Sequence, residues 1–109
     1  MASANLIPSD YLAVVAPEAA AKFKEMRACI SKGPLDYETC EYVIVAAFAM
    51  AGFEEPFRIH AKRMLARGVA SEKLRHAVLA LLGASVPLFP VVRALQWLDA
   101  AVAEQDATS

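Results

Sequence analysis

Two titratable residues interrupt the apolar middle of the chain: Glu41, at the head of the run YVIVAAFAMAG, and His60, inside EEPFRIHAKRMLARG. Burial penalises the charged form of a carboxyl group, and a neighbouring charge moves an imidazole, so the two in one low-dielectric pocket can pass a proton near neutral pH. That is the chemistry of an acid/base site that needs no cofactor. The only cysteines, Cys29 and Cys40, have neither the CxxC spacing of a redox pair nor that of a zinc ligand set, so no metal is implied. Both also have plainer roles. A carboxylate near a helix start is favoured by ~0.3–1 kcal/mol, and a lone histidine is often a core imidazole with one satisfied hydrogen bond.

The elements that must position this pair read as helices throughout. A lead of fifteen residues without clear periodicity is followed by Pro17 at a favoured first helical position. From there Ala19, Phe23, Met26 and Ile30 recur every three or four residues until Gly33 and Pro34 close the helix. Asp36 is placed to cap a second helix, Tyr37 to Ala51, which is apolar almost all round after Glu41 and is therefore the central one. Gly52 ends it. A third helix starts near Pro56 with Glu54 and Glu55 as its N-terminal acids, carries His60, and stops at Gly68, so the second and third form a helical hairpin. Ser71 is expected to cap a fourth helix running to about Ser85, with Gly83 allowing close helix packing. Pro87 and Pro90 interrupt the pattern, and VVRALQWLDAAVAEQ restores it before a frayed tail, 105–109. No alternating segment suggests a strand. The expected fold is an all-α bundle of about five helices in one domain, 1–109, with its helical core over 16–104.

Composition limits the functions available. The net charge of −1 with interspersed signs provides no field for nucleic acid, despite the small basic cluster Lys62, Arg63 and Arg67. No apolar run is long enough to span a membrane, the start MASANLIPSDYLAVVAPE lacks a basic signal region, and the chain reads as cytoplasmic. An apolar fraction of 58% exceeds what one small core needs, so a homo-oligomer burying about 2,000 Å² or more is expected. His76 beside Arg75 reads as a surface residue, and Trp97 with Phe48, Phe53, Phe57 and Phe89 as core, subunit contacts or the wall of a flat ligand's pocket.

Taken in order, Gly33-Pro34-Leu35-Asp36, Glu41-Tyr42-Val43, His60 nineteen positions after Glu41, and Gly68-Val69-Ala70-Ser71-Glu72 resemble the carboxymuconolactone decarboxylase family, which includes the AhpD-like alkylhydroperoxidases. The resemblance spans roughly residues 17 to 100. It implies an AhpD-like helical bundle assembled as trimers or hexamers. It also implies a pocket between helices in which His60 donates or shuttles a proton and Glu41 orients the ring or serves as partner base. Arg58 would then meet a substrate carboxylate, and Phe53 and Phe57 would line the site. The chain departs from the peroxidase branch where that branch carries CxxC, because Phe53 and Pro56 hold those positions and neither offers a thiolate. Two other readings stay open: a non-catalytic oligomeric binding protein of the same fold, and residual thiol-dependent peroxidase activity through Cys40.

Overall fold

The computed structural model describes residues 8–108, and within them the chain forms six α-helices, α1 (Pro8–Val15), α2 (Pro17–Ile30), α3 (Tyr37–Ala51), α4 (Glu54–Ala66), α5 (Ser71–Leu79) and α6 (Leu88–Thr108). The backbone divides between Asp36 and Tyr37 into two compact units. In the first, α1 packs on α2, and a proline opens each helix, where its missing N–H costs nothing. The lead therefore differs from its reading: Pro8–Val15 is helical, while residues 1–7, with the start of the expected lead, lie outside the described residues. Neither helix fully buries a residue, and Phe23, Met26 and Ile30 form a half-open apolar stripe along α2.

The second unit contains the pair. Helix α3 has no charged residue after Glu41, packs against α4, α5 and α6, and buries Val45 and Ala49. It is central, as its composition required. It is not fully enclosed, however, since Val43 and Met50 look outward. The α3–α4 hairpin turns on Gly52, whose φ of +81° is a conformation that L side chains rarely adopt. The N–H groups of Gly52 and Phe53 both donate to the Phe48 carbonyl, closing α3. Phe57 and Met64 of α4, Leu74 of α5 and Leu98 of α6 meet Val45 in one core. Each such side chain contributes about 1.5–3 kcal/mol through its burial.

Three boundaries depart from the sequence reading. Ser71 is not a cap, because Ala70 holds the cap position and no side chain bonds there. Helix α5 ends at Leu79, six residues before Ser85. Gly83 then sits at φ +79° in a turn, with open space where a Cβ would be, so it makes a bend rather than a close helix contact. The turn closes through Gly83 N–H to the Val86 carbonyl and an isolated Leu82–Val86 bridge, and Pro87 keeps Val86 out of helical conformation. Finally, α6 begins at Leu88 with Pro90 inside its first turn, where proline is tolerated, and it continues through Gln105 and Asp106 to Thr108, while residue 109, the last of the expected tail, lies outside the described residues. No described helix is long and apolar enough to cross a membrane.

Candidate active site

Helix geometry brings Glu41 and His60 together. Glu41 lies in the first turns of α3 and His60 in the middle of α4, and the tight turn at Gly52 folds the two helices antiparallel, so residues on either side of the turn face each other. His60 Nδ1 stands 2.9 Å from Glu41 Oε1. The carboxylate is enclosed, with 9% of its side chain exposed, whereas the imidazole keeps 22% open. An ionised carboxylate can only accept, so opposite one Nδ1 would carry the proton, and Nε2 is on the far edge of the ring. Phe48, two turns beyond Glu41 on the same face of α3, packs on the imidazole with centroids 5.3 Å apart. A buried acid therefore stands against Nδ1 of a partly open imidazole beside an aromatic ring. This arrangement can move a proton to or from a small molecule at Nε2.

The other expected site residues divide. Phe53 is at the open end of the same surface, 57% exposed, with its ring centroid 6.4 Å from that of Phe48. Phe57 is fully buried, its ring centroid 5.7 Å from that of Trp97, and is thus a core residue. Arg58 does not turn toward His60. One Nη donates to Glu54 at 3.2 Å and the other is held by Glu104, which also takes Lys62 Nζ at 2.7 Å. The reason is helical phase: two residues on a helix are separated by about 200°, so Arg58 and His60 leave opposite sides of α4. Cys40 is half-buried one residue before Glu41, a rotation of about 100° from it. Cys29 is exposed, as is His76. Among the described residues no three His, Cys, Asp or Glu side chains gather into a group that could hold a metal ion.

Sequence reasoning overlooked Arg93. Its guanidinium lies over the Trp97 ring, 5.1 Å from the centroid, and its Nε is buried without a hydrogen-bond partner. One Nη reaches the α3–α4 turn so closely that a Cβ on Gly52 would be 2.8 Å away. The spacing of Arg93 and Trp97 on one helix was a visible signal; the empty place at Gly52 was not. Compared with protein-family models, with curated proteins and with solved structures, the chain matches none.

Proposed function

We propose that the protein is a cofactor-free acid/base enzyme resembling carboxymuconolactone decarboxylase, acting on a small carboxylated or lactone-type metabolite. The observation that supports this reading is the 2.9 Å contact between an enclosed Glu41 carboxylate and a partly open His60 imidazole. In such a reaction the carbon–carboxylate bond breaks, carbon dioxide leaves, and the electron pair stays on carbon as an enolate-like carbanion. Protonated His60 gives its Nε2 proton to that carbon, and Glu41 stabilises the imidazolium beforehand and recovers the tautomer afterwards. Water restores the proton.

The test is substrate depletion with a panel of small carboxylic acids and lactones. Wild type consumes at least one of them, and His60→Ala and Glu41→Gln, each shown to be folded, do not. Full turnover by both variants ends this reading.

The assembly reading is also ours: the chain works as a homo-oligomer, a trimer or hexamer, in the cytoplasm, where both thiols stay reduced. What supports an assembly is the apolar surface left open on α3 at Val43 and Met50. The same surface is the reason to keep the alternative of a non-catalytic binding protein, for which the pair's variants would lose ligand without there being any turnover to lose. Peroxidase chemistry through Cys40 is the weakest reading, since Phe53 and Pro56 replace the family's thiols. It requires that Cys40→Ser, and not Cys29→Ser, abolish peroxide consumption.

A further inference from the structure

We propose that Arg93, rather than Arg58, is the anion receptor of this protein, taking the carboxylate of a small organic acid at the α3–α4 turn. The argument begins with charge. Arg58 and Lys62 are neutralised by Glu54 and Glu104, Lys73 faces Glu38, and Arg75 faces Asp99. Arg93 has no carboxylate partner among the described residues and is nonetheless half-buried, with Nε shielded from water and bonded to nothing. Its Nε–H is one of the five donors of the guanidinium fork, and leaving that donor unmet where water is excluded is costly, so the site has a standing demand for an acceptor.

Its location strengthens that demand. Gly52 faces Arg93, Phe57 faces Trp97, and Arg58 and Lys62 face Glu104, so α4 and α6 run parallel with their N-termini at one end. Arg93 lies in the second turn of α6 beside the start of α4, where Phe53 provides no side-chain cap. Both helix dipoles are positive there, an unfavourable place for a lone cation and a favourable one for the anion that would join it. The side chain is also held in position. Trp97 supports one face of the guanidinium, and only the absence of a Cβ at Gly52 lets the fork approach the turn.

The receptor is connected to the acid/base pair by aromatic surface. Phe53 follows Gly52, Phe53 contacts Phe48, and Phe48 contacts His60. His60 is seven positions after Phe53, ~10 Å along the helix, which a ring with a carboxylated substituent can span. That the captured carboxylate belongs to the substrate rests on the acid/base reading of His60; the capture itself does not.

The chain's single tryptophan reports on the site, because a carboxylate drawn to Arg93 changes the cation over the Trp97 ring. Benzoate is titrated into the full chain while Trp97 emission is followed, with benzamide as the neutral ligand of the same shape. A saturable response to benzoate that benzamide lacks is expected. Arg93→Gln should weaken it about tenfold or more, as the loss of a charge-assisted bond requires, while Arg58→Gln and His60→Gln leave it in place. An equal response to both ligands, no saturable response in wild type, or a benzoate affinity tied to Arg58 instead of Arg93 overturns the proposal. The comparison of benzoate with benzamide is made on wild type, so it decides even if Arg93→Gln folds poorly. Retained benzoate binding in His60→Gln, together with unchanged turnover in His60→Ala, would sink the acid/base reading and leave the receptor standing.

Discussion

At the scale of single residues, the proposed acid/base reading turns on which nitrogen of His60 carries the proton. Glu41 is enclosed and touches Nδ1, so the imidazole is expected to be Nδ1-protonated when neutral, the minority form of histidine in water. Nitrogen-detected NMR of the ring should show that tautomer in wild type and a shift toward the Nε2-protonated form in Glu41→Ala. An unchanged tautomer would mean that the carboxylate does not govern the ring. The same substitution should lower unfolding stability by about 1 kcal/mol in a urea titration, because it leaves a partly buried imidazole donor without its acceptor. Glu104 makes a useful contrast. It binds both Arg58 and Lys62, but all three side chains are substantially open to water, so Glu104→Ala should cost about 1 kcal/mol or less despite removing two ion pairs.

At the scale of elements, two glycines with nearly the same backbone angle make separable predictions. Gly52 and Gly83 have φ values of +81° and +79°, so alanine at either position should cost about 1 kcal/mol in backbone strain, measured by urea unfolding. Their surroundings differ. A Cβ at Gly83 meets open space, whereas one at Gly52 meets Arg93, whose flexible end can swing aside. Gly52→Ala should therefore alter Trp97 emission as the guanidinium leaves the ring, and Gly83→Ala should not. The helices themselves were readable to different degrees. The body of α3 and the Gly52 stop followed from an uncharged run ended by glycine. The end of α5 did not, because Leu81 and Leu82 continue the apolar pattern past the last helical residue. Periodicity records which residues are apolar and not whether they become buried, and Leu82 keeps the pattern although it is 42% exposed in the turn.

At the scale of the whole molecule, the open question of surface is where its excess of apolar side chains goes. Val43 and Met50 lie two turns apart on the outward face of α3, and Leu88 and Phe89 begin α6, with Phe89 76% exposed. Isolated exposed apolar residues are ordinary; a pair of them on the uncharged part of α3 that follows Glu41 is typical of a surface that another chain covers. Light scattering should give a mass several times that of one chain, and Met50→Lys should shift it downward by placing a charge in the contact. A wild-type mass equal to one chain would dispose of the assembly.

From composition and periodicity alone came the all-α class, the central apolar helix, the hairpin at Gly52 and the selection of Glu41 and His60 as the residues worth watching. These features are local: a run of uncharged residues, a glycine, and two polar interruptions are each complete within a few positions of the chain. Only the tertiary structure decided that the two side chains touch, that Arg58 belongs to Glu54 and Glu104, that Phe57 is core, and that Arg93 waits over Trp97 beside Gly52. The reason is physical. A contact between helices depends on the phase and direction of both, and each depends on every turn between them, so a partner forty residues away cannot be read from the sequence surrounding either one.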